Sequence, residues 1–193
     1  MELIQTSESG TTTILAADED MKHQLFPIGE EGQRWYAFHT RPRCEKKASS
    51  ACEELELHHY LPLRKSVTRK GQDRYSFMVP LFPGYLFSRC DQNERLALMR
   101  RGYMVRWIEV VDQRLFREEL TSIYLACHKG AELTLYPQMK KGRRVRITQG
   151  LLMGLEGMIS KRKENFKVVL NVSVLGSAVA VEVDTQDVEL VDH

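Results

Sequence analysis

The chain has 193 residues, of which 42% are apolar and 28% charged, values typical of a folded globular protein rather than a disordered one. At this length it forms one domain or two small ones. No run of 18 apolar residues occurs, which excludes a transmembrane helix. Residues 1–5 form neither a basic nor an apolar start, so we expect no signal peptide and a cytoplasmic protein.

The net charge of +2 is unevenly distributed along the chain. Residues 1–33 carry seven acids and one base, a net of −6, so the remaining residues carry +8. Residues 34–80 alone hold ten bases and five acids. Such an excess favours a polyanion or an acidic surface as partner, although a basic solvated surface would explain it equally well.

Enzymatic and metal-binding motifs are missing from the sequence. The cysteines Cys44, Cys52, Cys90 and Cys127 form no C-x-x-C pair, so a zinc site is not expected. The sequence also lacks the glycine-rich nucleotide loops, H-E-x-x-H and G-x-S-x-G. We therefore expect a protein that is not an enzyme and that binds no cofactor or metal.

The predicted elements up to residue 129 mix strands and helices. Residues 1–33 are expected to be an acidic, flexible tail, apart from a short ordered piece near Leu25 and Phe26. Strands are predicted at 35–39, 59–65, 74–79, 85–88 and 105–111, with a polar turn at 68–73. Apolar residues at helical spacing predict helices from 43 to 55, over 93–101 and over 117–128. This order predicts an α+β domain at 34–129, an antiparallel sheet with flanking helices.

The last third of the chain has a different character. Residues 130–140 show no long period and are predicted to be a linker. Beyond them, short alternating or β-branched runs predict strands at 143–147, 157–160, 166–172, 178–183 and 188–191. Five close-spaced short strands predict a small β-barrel at 141–193.

Three sequence motifs occur in the same order as in a known family. They are Trp35-Tyr36-x-x-x-Thr40-x-Pro42-Arg43-x-Glu45-Lys46-Lys47-Ala48, then Val79-Pro80-Leu81-Phe82-Pro83-Gly84-Tyr85-Leu86-Phe87, then Gly142-x-x-Val145-Arg146-Ile147-x-x-Gly150-x-x-x-Gly154-x-Glu156-Gly157. Together they resemble the NusG family of transcription elongation and antitermination factors. The resemblance implies an N-terminal NGN domain followed by a C-terminal KOW barrel.

Residues 40–47 and 61–65 resemble the specialised UpxY-type or RfaH-like paralogues of the family. Such paralogues are operon-specific antiterminators that suppress pausing and termination. The alternatives are a general NusG-type elongation and termination factor, or a ribosome-associated KOW protein that binds RNA.

The resemblance implies an apolar surface that docks on RNA polymerase, at the clamp helices of the β′ subunit and near the β subunit. Aromatic anchors carry most of the energy of such interfaces, although the same side chains could fill the domain core. Tyr85 and Phe87 share one strand face, and Phe82 and Pro83 are expected to be exposed in a turn. The candidate polymerase-binding residues are Trp35, Phe82, Pro83, Tyr85 and Phe87.

The resemblance also implies contact with the upstream and non-template DNA of the elongation complex. Cations bind phosphates, and those at the start of the first helix oppose its dipole, so local stability does not explain them. The alternative is a solvated charged face. The candidate DNA-binding residues are Arg41, Arg43, Lys46, Lys47, Arg64, Lys65, Arg69 and Lys70.

A loop of the predicted KOW domain carries bulky apolar residues between glycines, which favours an interaction surface. The resemblance implies the ribosomal protein NusE as its partner. Leu151 and Leu152 stand where the general factor tends to have Pro and Phe, which argues against binding of the termination factor Rho. We expect a monomer with no membrane partner that reaches the nucleoid through the transcription complex. The candidate KOW partner-binding residues are Leu151, Leu152, Met153 and Leu155.

Overall fold

The structure, a computed structural model, describes residues 24–29, 32–71, 73–139, 142–162 and 165–191. Most of the predicted acidic tail, residues 1–23 together with 30 and 31, lies outside the described residues. Within the described ranges, no helix has the length and apolar character needed to cross a membrane.

The first part of the chain is the α+β unit that the sequence predicts. Its four-stranded antiparallel sheet has the order β2-β5-β1-β6, with β1 hydrogen-bonded to both β5 and β6. The elements are β1 (Arg34–Thr40), α1 (Glu45–Glu54), β2 (His59–Tyr60), β3 (Leu63–Lys70), β4 (Asp73–Pro80), β5 (Tyr85–Cys90), α2 (Gln92–Arg100), β6 (Met104–Glu109) and α3 (Gln113–His128).

Alternation along β1 and β5 divides the apolar residues between the two faces of the sheet. Tyr36, Phe38 and Leu86 pack with the α1 residues Ala48 and Cys52 in one cluster. On the other face the cluster holds Trp35, Ala37 and Phe87 together with the α3 residues Phe116, Leu120 and Ile123. The sheet therefore lies between the pair α1–α2 and the helix α3.

The segment 24–29 completes the cluster on the α3 face. Phe26 is 2% exposed and packs edge to face on Trp35, Tyr60 and Tyr124, at centroid distances of 5.5, 5.3 and 6.2 Å. Its carbonyl accepts a hydrogen bond from Arg117 Nε. The short ordered piece that the sequence predicts around Leu25 and Phe26 is therefore present.

β3 and β4 form a separate two-stranded sheet, here called the ribbon. Their ladder runs from the pair Leu63↔Pro80 to the pair Lys70↔Asp73. The predicted turn at 68–73 is therefore wrong, because the strands continue to Lys70 and resume at Asp73. Gly71, at φ +64°, supplies the left-handed backbone that such a short connection requires.

The C-terminal part is a six-stranded antiparallel sheet of order β12-β8-β9-β10-β11-β7. Among the described residues no ladder joins β12 to β7, so the closed five-stranded barrel is not confirmed. Residues 134–137 of the predicted linker form the additional strand, which pairs with β11. The strands are β7 (Thr134–Pro137), β8 (Arg144–Ile147), β9 (Glu156–Arg162), β10 (Asn165–Val172), β11 (Ser177–Val183) and β12 (Val188–Leu190).

α3 joins the two parts of the fold. Apolar residues of α3 and of β10 belong to one continuous core cluster. At the edge of this contact, Glu119 of α3 accepts hydrogen bonds from Ser173 N at 2.9 Å and from Ser173 Oγ at 2.5 Å. Glu119 is only 9% exposed, and burial raises the pKa of its carboxyl group. A buried carboxyl group thus links the α+β unit to the C-terminal sheet.

Candidate functional site

Trp35, a candidate polymerase-binding residue, lies in the core. Its side chain is 1% exposed, and its Nε1 donates a hydrogen bond to the carbonyl of Pro27 at 3.1 Å. Its backbone N–H donates to Gln113 Oε1 at 2.8 Å. The segment 24–29 and α3 therefore cover this residue, which removes it from any docking surface in this conformation.

Phe82 and Phe87 are buried as well, at 3% and 0% exposure. Their ring centroids lie 6.3 Å apart, and that of Phe87 lies 5.4 Å from that of Phe116. The expectation that the turn exposes Phe82 is wrong, because the neighbouring Leu81 N–H is bonded to Pro62 O at 2.8 Å and this part of the chain turns inward.

Pro83 and Tyr85 are the two candidate polymerase-binding residues that reach the surface. Pro83 is exposed, and Tyr85 is half-buried with its ring edge to face against His39 at 5.2 Å. Between them Gly84 adopts φ +83°, a left-handed conformation that favours glycine. The structure thus presents a short turn, residues 82–85, with one proline and one tyrosine outward.

Backbone hydrogen bonds fix this turn against the start of α1. Gly84 N–H donates to Glu45 Oε1 at 2.8 Å, and Thr40 N–H donates to Gly84 O at 2.8 Å. Glu45 is 8% exposed, so its carboxylate lies beneath the surface with a backbone donor as partner. The turn and the first turn of α1 therefore form one rigid surface.

Four of the predicted DNA-binding cations are exposed at this end of α1. Arg41 and Arg43 lie in the connection before the helix, which begins at Glu45 and not at Arg43 as predicted. Glu45 places an acid in the first helical turn, where it suits the helix dipole. These four cations, here called the α1 cluster, are Arg41, Arg43, Lys46 and Lys47.

Arg43 has a backbone conformation that is unfavourable for its residue type. Its φ is +61°, in the left-handed region that costs an L-residue other than glycine about 1–2 kcal/mol. Because strain of this kind concentrates at functional positions, it supports a role for the Arg43 side chain.

Replacing Arg43 with glycine should therefore raise the free energy of unfolding by about 0.5–1 kcal/mol, since relief of the strain is partly offset by the greater freedom of glycine in the unfolded chain. Urea denaturation would measure this. Arg43→Ala is the matched control, since it removes the cation and keeps the strain, so it should gain no stability. Equal stability of the two variants would contradict the strain.

The remaining predicted DNA-binding cations lie on the ribbon. Arg64, Lys65 and Arg69 are exposed, and Lys70 is described only by its backbone. Within the described part of the chain, no salt bridge involves Arg64, Lys65, Arg69 or the neighbouring Arg74. The structure therefore distributes the predicted set over two elements, the start of α1 and the ribbon.

The predicted KOW loop is divided between surface and core. Leu151 and Met153 are 64% and 53% exposed, whereas Leu152 and Leu155 are 8% and 5% exposed and belong to the core cluster. Leu151 and Leu152 also line a pocket of about 530 Å³ beside Gly130 and Val181. Two of the four candidate residues, Leu152 and Leu155, are thus too buried to offer an exposed contact.

Cys52 and Cys90 are buried structural residues. Burial raises the pKa of Cys52 and of Cys90 to about 12, so both thiols stay protonated at neutral pH. Metal binding and nucleophilic attack both require the thiolate. Within the described ranges, no group of three His, Cys, Asp or Glu residues is arranged to hold a metal ion.

Some exposed residues were not identified as candidates from the sequence. Tyr75 and Phe77 of β4 are 53% and 48% exposed, and Arg74 precedes them. Their alternate spacing was a usable signal, since residues two apart in a strand share a face. The sequence predicts a strand at 74–79 but does not indicate that both of its faces are exposed, so it does not identify these rings as surface groups.

The α+β unit is similar to a known protein family. The family model described as transcription termination factor nusG matches residues 33–123. A solved structure that describes the domain interaction in Thermotoga maritima NusG is 19% identical in sequence. The match covers 85% of this chain and 100% of that chain, with a TM-score of 0.47. A chain of the MjSpt4:Spt5 complex in conformation B is 15% identical, with coverages of 82% and 97% and a TM-score of 0.28. No curated protein matches the sequence at a significant level. Residues 33–123, just under half of the chain, are thus similar to the NusG family.

Proposed function

We propose that this protein is a transcription elongation factor that binds RNA polymerase at the β′ clamp helices and suppresses pausing and termination. The observation that carries the proposal is the surface formed by the turn 82–85 and the α1 cluster, which lies inside the matched residues 33–123. It combines an exposed proline and a half-buried tyrosine with four adjacent cations. This combination suits a factor that contacts protein and DNA together.

Pro83 and Tyr85 form the polymerase contact in this proposal. Trp35, Phe82 and Phe87 act beneath it, because they are buried and pack on one another or on α3. A partly exposed aromatic side chain on a rigid support loses little conformational entropy on binding, which is typical of an interface anchor. The mechanism is that of a clamp, with no turnover chemistry.

The cations of the α1 cluster and of the ribbon contact upstream and non-template DNA in the same complex. Phosphate contacts from lysine and arginine give binding that weakens as salt concentration rises. The absence of ion pairs on Arg64, Lys65 and Arg69, within the described residues, leaves these charges available. This supports the DNA contact on the ribbon.

The C-terminal sheet is a KOW domain in this proposal, with limits at 141–193, and the NGN domain spans 34–129. Leu151 and Met153 supply its exposed apolar surface for NusE. We further propose that the protein is a specialised, operon-specific member of the family that acts as an antiterminator. Mapping its chromosomal occupancy beside that of polymerase would show one or a few operons, whereas occupancy of most transcribed genes would overturn the specialised role.

Tyr85→Ala is expected to weaken binding to RNA polymerase about 10-fold or more, because truncating a central aromatic anchor costs at least about 1.4 kcal/mol. Surface-immobilised core polymerase and the purified full chain would give the affinity. Read-through of a pause and of a terminator in a reconstituted transcription assay should fall in parallel.

Tyr136→Ala is the matched control for that variant. Tyr136 is also half-buried but lies in β7, where its hydroxyl group is 3.0 Å from Ser160 Oγ. Its polymerase affinity should stay within about 2-fold, as truncating a residue outside the contact costs little. Wild-type affinity in Tyr85→Ala would contradict the contact, and recovery of ribosomal subunits without polymerase in a pull-down would favour the ribosome-associated alternative.

A further inference from the structure

Several large apolar side chains of the ribbon are exposed to solvent. Tyr75, Phe77 and Met78 are 53%, 48% and 45% exposed, and Val67 is 42% exposed. The same 18 residues, 63–80, carry five cations and one acid, a net of +4. The charges of the ribbon are nearly all positive, and apolar side chains are exposed among them. This combination favours a partner that is anionic and also offers flat apolar surface.

The strand register divides these groups between two faces. Residues directly opposite each other in an antiparallel pair lie on the same face. One face, here called the aromatic face, contains Tyr75 opposite Thr68 and Phe77 opposite Ser66. Arg64 lies further along the same face. The other face carries the cations Lys65, Arg69 and Arg74 together with Val67 and Met78.

About half of each of the two side chains is exposed, and the rings are set at a defined spacing along the strand. Their cross-strand neighbours Thr68 and Ser66 are too small to cover them, and neither ring packs on another aromatic ring of the described residues. The hydroxyl group of Tyr75 donates to Asp73 Oδ2 at 3.4 Å, which orients that ring. Two residues along a strand span about 6.8 Å.

That spacing fits an unpaired nucleic-acid strand. The spacing of the two rings along β4 is about twice the 3.4 Å rise between stacked bases of one strand. Neighbouring bases can therefore each stack on one ring only after they have been separated from each other. In a duplex the base faces are stacked on one another and are closed to such contacts. Aromatic side chains interleaved with cations are the usual means of holding single strands without sequence preference.

We propose that the aromatic face of the ribbon is a base-stacking platform for single-stranded nucleic acid, on which Tyr75 and Phe77 each receive one unpaired base while Arg64, on the same face, holds a phosphate. This rests on the proposed DNA contact of the ribbon cations and assigns the bases, not only the phosphates, to it. The platform selects unpaired strands over duplex, and it acts independently of the turn 82–85.

The experiment uses the full chain without polymerase. Fluorescein-labelled oligo-dT and oligo-U of about 15 nucleotides, near the upper end of known single-strand site sizes, and a duplex of the same length would be titrated by anisotropy. Single strands should bind more tightly than the duplex, and the oligo-dT and oligo-U arms show whether DNA or RNA is preferred. Tyr75→Ala with Phe77→Ala should lower single-strand affinity at least about 30-fold.

Three further variants separate stacking from charge and from folding. Tyr75→Phe keeps the ring and should bind as wild type, and Val67→Ala truncates a similarly exposed residue on the opposite face and should also do so. Arg64→Gln, on the same face as the rings, should reduce the slope of log affinity against log salt by about 0.7, the contribution of one phosphate contact to a single strand. The double aromatic variant should keep the wild-type slope.

A position-specific readout completes the test. Photocrosslinking of a bromouracil-substituted strand should give adducts at Tyr75 or Phe77, located by mass spectrometry.

Equal affinity for duplex and single strand, or unchanged affinity in the double aromatic variant, would overturn the platform. So would a loss of polymerase binding in that variant with intact oligonucleotide binding, since the rings would then contact protein. Tyr85→Ala should leave oligonucleotide affinity unchanged, so a failure of the polymerase contact and a failure of the platform give different results.

Discussion

Phe87→Ala is expected to lower the free energy of unfolding by about 3–5 kcal/mol, the largest effect that we anticipate for a single substitution. The side chain is 0% exposed and packs edge to face between Phe82 and Phe116. Its removal leaves a cavity between the sheet and α3, because β5 and α3 are each held by other contacts and cannot close on it. Urea denaturation followed by circular dichroism would measure the change.

Phe77→Ala is the matched control for this prediction. It removes the same ring from a site that is 48% exposed, so the stability should change by no more than about 0.5 kcal/mol. A Phe87→Ala protein as stable as the wild type would show that the ring is not in the core. The comparison also affects how binding data are interpreted, because polymerase affinity lost in Phe87→Ala would reflect unfolding of the site and not a removed contact.

The sequence predicts best those elements whose periodicity matches a buried face. Helix α2 was expected over 93–101 and occupies Gln92–Arg100. Its start is fixed locally, since Asp91 accepts the Glu94 N–H at 2.8 Å while the Glu94 side chain accepts the Asp91 N–H at 2.7 Å. The five strands expected after residue 141 all occur, within one or two residues of their predicted limits, because their β-branched residues alternate toward one core.

Elements without such a face were predicted less well. The ribbon is exposed on both sides, so Thr68, Arg69 and Lys70 carry no alternation and were assigned to a turn. Helix α3 was expected from 117 but begins at Gln113, where the side chain of Asp112 accepts the Leu115 N–H at 2.9 Å. That cap was a detectable signal, since aspartate is a preferred residue before the first helical turn.

The candidate site depended on burial, which local sequence does not determine. Trp35 is covered by Pro27 and bonded to Gln113, the latter 78 residues away, so its position follows from the assembled fold. In the loop 150–155, successive turns direct Leu151 and Met153 outward and Leu152 and Leu155 inward. A run of apolar residues predicts that some of them are buried, but only the backbone path decides which ones.

Glu119→Ala is expected to destabilise the contact between α3 and the C-terminal sheet by about 1.5–3 kcal/mol, the range for hydrogen bonds to a charged group. The substitution removes the acceptor of both Ser173 donors. Glu119→Gln is the matched variant, since its amide oxygen keeps one acceptor without the charge. It should retain most of the stability at neutral pH.

The pH dependence follows from the raised pKa of the Glu119 carboxyl group. Burial raises it above the ordinary value, the nearby Asp112 and Glu118 carboxylates add to this, and the two Ser173 hydrogen bonds oppose it. A group that binds its proton more tightly when folded gives stability that is fully present below its unfolded pKa and lost as pH rises through its folded pKa. The stability of the wild type minus that of Glu119→Gln should therefore fall as pH is raised from about 4 to about 8. A difference that stays flat or rises over this interval would mean that the carboxyl group is well solvated, and that it does not link the two parts of the fold.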